Sequence, residues 1–448
     1  MRFCPTGALL ALAGMAGCAA YQAAPLNLAD PLQTSLQSLN HRLPDGGVIS
    51  LAAPLSLKAL GALAVLNDPD LAAARTQTGV AEADLLAAGL LPDPSLSFGF
   101  AALLGGPADA PAISGSLGED VSALITYRVN GAAAQAGLAA VNAGILWQEW
   151  QVAAQAEQLA ISVAGDDGII ASLRSNRAAL AALNDATAAQ VAAHNLTITE
   201  ASASLAALAG TDSALDSAVA ARAADLDQLD LLLDLQPRTE IAVALPVLPP
   251  FDARLAAKAI ATLPDRRPDL IALRYGYEQA DARLRAAILM QFLPINIGAA
   301  GGRDTSKVLS IGPQVTVDLP LFDRNQGGVA QAEASRAQLA AQFRASLASA
   351  DAAAAALITR IGVLQRESAA ADAADAAAAA VAGQAAAAQD NGALDARNAT
   401  DLITAAAERR RAAIDLRAQL LTARLSLNTL LGIGLPALAG PAAPPDAS

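Results

Sequence analysis

The octapeptide DPDLAAAR at 68–75 returns as RPDLIALR at 267–274, 199 positions later (267 − 68). The same offset carries Ala81, Glu82, Ala83 and Leu85 onto Ala280, Asp281, Ala282 and Leu284, and Ala87-Ala88 onto Ala286-Ala287. A chain with this internal likeness has to be built from two copies of one unit, which removes most single-pass folds from consideration. Each copy opens a predicted helix with a proline in its first turn, Pro69 or Pro268, where the missing N–H costs nothing. Asp70 or Asp269 follows, near the positive end of the helix dipole, and Arg267 precedes the second copy. Capping alone accounts for these residues. Each helix stops at a second proline signal, Pro92-Asp93-Pro94 or Pro294, and the proline-rich LPVLPP at 245–250 divides the two copies.

Alternation replaces helical periodicity after those stops. Between Val308 and Leu319, Leu309, Ile311, Val315, Val317 and Leu319 alternate with Ser310, Gly312, Gln314, Thr316 and Asp318. This is the period of a strand with one apolar and one polar face. A soluble sandwich would show it, and so would a membrane barrel strand. Its predicted partner starts near Pro294; in the first copy the pair is expected at Ser95 to about Leu104 and at Leu117 to Val129. Four strands cannot close a barrel, and an open sheet facing lipid is not permitted. Strands entering a bilayer would therefore need several chains to complete one barrel.

Long helices should follow each strand pair, from Gly131 to His194 and from Gly327 to Asn391, each about 95 Å long. The 54% hydrophobic content with only 3% aromatics is mostly alanine, which favours closely packed helices over a bulky core. LPLFDRNQGGVAQA at 319–332 joins strand to helix in the second copy, and YRVNGAAAQA at 127–136 takes that place in the first. HNLT at 194–197 and DNGAL at 390–394 are the expected hairpin turns. GDDG at 165–168 is a rival for the first turn.

The N-terminus reads as a processing signal: Met1-Arg2, a short apolar run from Ala8 to Ala16, then Met15-Ala16-Gly17-Cys18. This resembles a lipobox, making Cys18 the expected lipidation site; an ordinary signal peptide cut nearby is the alternative. The expected division is a signal peptide at 1–17, a lipid-anchored extended segment at 18–54, repeats at 55–245 and 246–434, and a disordered tail at 435–448. The net charge of −13 argues against nucleic acid. His41 and His194 are the only histidines, Cys4 falls in the discarded segment, and no catalytic or metal-binding constellation is visible. An enzyme is not expected, and no cofactor beyond the covalent lipid.

These residues together resemble the TolC-type outer-membrane factors, over about residues 55–434. The resemblance rests on the lipobox-like start, the duplicated PDL openings, RRPDL at 266–270, LPLFDRNQGG at 319–328, DNGAL, and SLNTLLG at 426–432. It implies a mainly α fold with a small β part: a homotrimer in which four strands per chain form a twelve-stranded transmembrane β-barrel above an α-barrel of long antiparallel helices. It also implies an equatorial belt, here from 211–262 and the C-terminal tail. By the same resemblance the chain is a passive exit duct in the outer membrane, served by a periplasmic adaptor and an inner-membrane RND-type pump. Asn195, Leu196, Gly392, Ala393 and Leu394 match the adaptor-facing turns. Asp401 matches a constricting acid, Asn398 stands where another acid can occur, and Glu200 is the nearest acid in the first repeat. The alternative for Asp401 and Glu200 is that both are solvated acids on helix surfaces. LPLFDRNQG resembles the heavy-metal efflux branch more than the multidrug branch. A drug or type I protein-secretion duct and a periplasmic helical scaffold lipoprotein are the competing readings.

Overall fold

The computed structural model describes residues 21–26, 28, 32–44, 46–102, 104–105, 110–246, 251–292, 295–391 and 393–434. The expected signal peptide, Cys18, Pro294, Gly392 and the tail at 435–448 lie outside them. The chain divides into two units, one ending at Leu32 and one running from Gln33. In the first, Tyr21–Leu26 and Leu28 are exposed and without regular structure.

The second unit repeats one order of elements. Strand β1 (Leu55–Ser56) leads into helices α1 (Leu57–Asn67) and α2 (Pro69–Ala88), strands β2 (Ser95–Ala101) and β3 (Ala112–Asp120), and the long hairpin α3 (Val121–Ala192) and α4 (Ile198–Leu232). Strand β4 (Val243–Ala244) then precedes α5 (Ala253–Ile260), α6 (Leu263–Arg266), α7 (Pro268–Leu289), β5 (Ile295–Arg303), β6 (Leu309–Val317), and the hairpin α8 (Gln326–Asp390) and α9 (Ala396–Leu430).

Local chemistry explains the boundaries. Asp68 Oδ1 accepts the Leu71 N–H at 2.7 Å, so the capping carboxylate of α2 stands before Pro69 rather than at Asp70. At α7 the N-cap is Arg267, which makes no side-chain cap; its guanidinium holds Asp269 through two bonds of 2.9 and 2.6 Å. Asn325 enters α8 at φ +55°, in the left-handed region asparagine tolerates, and its amide donates to Ala287 O at 2.8 Å. LFDRNQGG is therefore tied to the end of α7.

The first repeat departs from expectation at its second strand. β3 covers 112–120 instead of 117–129, and the ten residues before Gly131 belong to α3. Asp120 ends the strand because its carboxylate accepts the Ser122 N–H at 2.9 Å and caps the helix. YRVNGAAAQA is accordingly interior to α3 and is no counterpart of the strand-to-helix joint. α3 spans 72 residues, about 108 Å. It passes straight through Gly165-Asp166-Asp167-Gly168 and turns at 193–197. Residues 211–232, expected in the belt, lie within α4. The 33–54 segment is not extended throughout: it forms a 3-10 turn at Leu36–Ser38 and buries Leu39 and Ile49.

Two apolar cores anchor the repeats. Leu60 and Leu63 of α1 pack with Ile161 of α3, Leu229 of α4, and Leu233, Leu235 and Ile241 beyond it. In the second repeat, Leu263 and Leu270 pack with Ala354, Ile361 and Leu364 of α8 and Leu427 of α9. Towards the turns the two hairpins differ: the first buries Ile169, Ile170, Leu173, Leu180 and Leu183, and the second buries Ala385, Ala399 and Ala413, which let helices approach closely but bury little area per residue.

Candidate functional site

β1 and β4 pair in parallel, and the other four strands form one antiparallel sheet in the order β2-β3-β5-β6, leaving β2 and β6 as its edges. The register stacks like with like. Phe98, Gly115, Gly301 and Ile311 form one cross-strand row, and Leu96, Leu117, Ala299 and Pro313 form the next on the same face. Ser97, Ser116, Ala300 and Gly312 form a row of the opposite face, with Ser95, Gly118, Gly298 and Gln314 beside it. Opposed residues of an antiparallel pair share a face, so one side is apolar and the other small and polar across all four strands. Phe98 is 80% and Ile311 88% exposed, so nothing among the described residues covers these two side chains on the apolar side. Charge on that face stands towards its two ends, Arg303 in the row of Phe100, Ile113 and Leu309, and Glu119 in the row of Ile297 and Val315. β5 depends on glycine here: a Cβ at Gly298 would overlap Leu117 O and the Gly118 backbone.

The opposite ends of the hairpins bring the predicted turn residues together by element. In the first turn His194 adopts φ +60°, Asn195 Nδ2 donates to Gln190 Oε1 at 2.9 Å, and Leu196 is half-buried. In the second, the Ala393 N–H reaches Ala388 O at 2.7 Å and Leu394 is half-buried. Asp395 caps α9 by accepting the Asn398 N–H at 2.9 Å, and the Asn398 amide also donates to its carboxylate. These bonds to the Asn398 main chain and amide hold the Asp395 carboxyl below the usual range. Asn398 is thus bonded to the cap of its own helix.

A groove of about 570 Å³ runs between α4 and α9 just beyond the turns, lined by Thr199, Ser202, Arg397, Thr400, Asp401 and Glu408. Asp401 is exposed in it and forms no ion pair among the described residues. Glu200 belongs to the first turn of α4, and its side chain lies outside the described set. The sequence reading missed Glu408 and Arg397. Their spacing of seven and four residues from Asp401 on one helix was the available signal.

Where the hairpins meet the cores, a second group of carboxylates faces a crevice of about 360 Å³. Asp166, Asp225 and Asp415 line it with Arg360, Gln419 and Ser426. Burial first, then the charges of Asp225, Asp167 and Asp415, push the Asp166 carboxyl up to about 6, against the opposing pull of Arg222. Among the described residues, no group of three or more His, Cys, Asp or Glu is placed to hold a metal ion.

Solved structures sharing this arrangement include outer-membrane proteins. VceC from Vibrio cholerae superposes with a TM-score of 0.70 at 18% identity, over 84% of this chain and 96% of that one. CusC gives 0.68 at 17% identity, over 92% and 99%. The open-state MtrE outer-membrane channel of Neisseria gonorrhoeae gives 0.64 at 16% identity, over 93% and 98%. The chain therefore has the fold of outer-membrane channels, with a strand pair from each repeat mounted on long helical hairpins. No protein-family model matches the sequence, and no curated protein does.

Proposed function

We propose that the chain is one third of a passive outer-membrane exit duct, working in a tripartite efflux system with a periplasmic adaptor and an inner-membrane RND-type pump. The observation that carries this reading is the sheet: apolar on one face, small and polar on the other, and open at both edges. Such a sheet is stable in lipid only if its edges are closed by other copies. Three chains of four strands make a twelve-stranded barrel whose polar face lines a lumen. The helical hairpins then extend into the periplasm, and their turns at Asn195-Leu196 and Gly392-Ala393-Leu394 meet the adaptor. Asp401, with Glu200 and Asn398 near it, narrows the pore; Cys18 carries the lipid. The chain does no chemistry of its own, and the energy comes from the pump.

The cargo in this reading is a small solute, and heavy-metal cations are the first candidate. The LPLFDRNQG resemblance and the net charge of −13 support cations, which an acidic lumen concentrates while repelling anions. Planar-bilayer recording on the detergent-folded oligomer tests the duct: discrete conductance steps are expected, and their absence sinks it in favour of a periplasmic scaffold. Deleting the gene and measuring tolerance to zinc, cobalt, nickel, copper and a drug panel tests the cargo. Unchanged metal tolerance with drug hypersensitivity would move the chain to the multidrug class.

A further inference from the structure

The two hairpins correspond at an offset of 198 residues. That shift carries the first turn onto the second (391 − 193) and one apolar core onto the other. Ala156 and Val163 of α3 go to Ala354 and Ile361 of α8 (354 − 156 and 361 − 163). Leu229 at the end of α4 and Leu233 just beyond it go to Leu427 and Leu431 at the end of α9 (427 − 229 and 431 − 233). All eight are at most 1% exposed. Hence α8 is the counterpart of α3, and α9 the counterpart of α4.

Inside the chain the repeats are joined by α3 against α9. A Cβ on Gly165 would stand 3.5 Å from Ala418 Cβ, and one on Gly168 would stand 3.5 Å from Ile414 Cγ2. Gln158 Nε2 donates to Ser426 Oγ at 3.2 Å in the same joint. The counterparts of these residues are uncovered. Gly165 is buried and Gly168 half-buried, but Val363 and Arg366 on α8 (363 − 165 and 366 − 168) are exposed. Ala418 and Ile414 are half-buried, but Ala220 and Asp216 on α4 (418 − 220 and 414 − 216) are exposed. Leu231 stands 64% exposed where its counterpart Thr429 (429 − 231) accepts the Trp150 indole N–H. With α3 lying between α4 and α9, and α9 between α3 and α8, the free edges belong to α4 and α8.

Within the trimer of the proposed function, on which this step rests, we infer that α8 of one copy packs on α4 of the next in the register of the internal joint, with Val363 on Ala220 and Arg366 on Asp216. The operation that takes the first repeat onto the second, applied once more, sets a further repeat beside α8, and that repeat is the first one of another copy. Charge agrees independently. Arg366 and Asp216 are opposite in sign and form no ion pair among the described residues. Copies in one membrane stand parallel, so a two-fold association through α8 would set Arg366 against Arg366; head-to-tail closure is the arrangement selected. The seam differs from the internal joint in chemistry. An arginine–aspartate contact takes the place of the Gly168–Ile414 contact, so salt loosens the copies from one another more than the repeats within a chain.

Disulfide trapping of the full chain in detergent tests the seam. The 3.5 Å separation at Gly165 and Ala418 lies within the range of about 3.5–4.5 Å that a disulfide spans between Cβ atoms. Val363→Cys combined with Ala220→Cys should therefore oxidise to bands of two and three chains, which neither single variant gives. No cross-linking in a double variant that still runs as a trimer overturns the seam and leaves the duct standing. A wild-type protein that runs as a monomer overturns both. In the two-cysteine background, Asp216→Arg or Arg366→Asp alone should slow cross-linking about tenfold, and the two together should bring it back to within about twofold. Unchanged rates, or a double reversal as slow as the single ones, would refute the pairing of Arg366 with Asp216.

Discussion

Arg75 Nη2 donates to the main-chain carbonyl of Val65 at 2.7 Å, fastening α2 to the end of α1. Arg274 makes the same bond to Pro264 at 3.3 Å, with both partners shifted by 199 positions (274 − 75 and 264 − 65). The carboxylate each arginine uses differs. Arg75 reaches across to Glu149 of α3 at 2.6 Å, whereas Arg274 takes the local Asp265 at 2.8 Å. Only the first bond ties the repeat to its long helix. Arg75→Met is therefore expected to cost about 2 kcal/mol, and Arg274→Met less, as read from thermal melts of the detergent-solubilised protein. Arg75→Lys should recover only part, because an ammonium cannot serve both acceptors in the fixed geometry of the fork. Equal losses at 75 and 274 would contradict this difference.

Arg267 is 7% exposed, lies 4.7 Å from the centroid of Trp147, and has Asp269 as its carboxylate. Asp269→Ala leaves a buried guanidinium without its counter-charge, and a loss of about 3–5 kcal/mol is expected. Replacing both residues with apolar ones, Arg267→Met with Asp269→Leu, should cost less than the single change. A double variant as unstable as the single would show that the pair itself, not the orphaned charge, sets the cost.

Stability should rise on mild acidification through Asp166. Its folded-state carboxyl lies at about 6, above its ordinary value of 3.8, so the folded protein takes up a proton between those limits that the unfolded chain does not. Charged Asp166 thus weakens the fold above pH 6, and the penalty disappears as pH falls towards 4. Asp166→Asn should raise the melting temperature at pH 8 and lose that advantage by pH 4.5. A constant difference across this range would remove Asp166 from the account.

In the proposed duct, Asp401→Ala should raise basal conductance, because the side chain stands free in the groove at the turn end. Single-channel recording at matched salt reads this directly. Equal conductance in variant and wild type removes Asp401 from the constriction.

Mass spectrometry of the native protein should find an acylated Cys18, absent in Cys18→Ser, with oligomer assembly retained because barrel burial is the larger anchor. An unmodified Cys18 would exclude lipid anchoring at that residue.

Much of the fold was legible beforehand where the signal was local. Proline at the first turn located α2 and α7, alternation located β6, and the asparagine-bearing HNLT and DNGAL located the hairpin ends. The extent of β3 was not legible, because Leu117 to Val129 alternates well enough to pass for a strand. Pairing with β5 holds only 113–120, and the Asp120 cap hands the rest to α3. The candidate site was legible by position, in Asp401 and the turns, but not by contact. Asn398, read as a neutral stand-in for an acid, is bonded to Asp395.

The amino-acid sequence alone therefore determined the duplication, the helix starts and the two-faced strands, because each depends on neighbours a few residues away. Tertiary structure decided which carboxylates face one another and which arginines join distant helices. Those depend on the phase of long helices, the longest about 108 Å, over which small per-residue rotations accumulate beyond what periodicity can resolve.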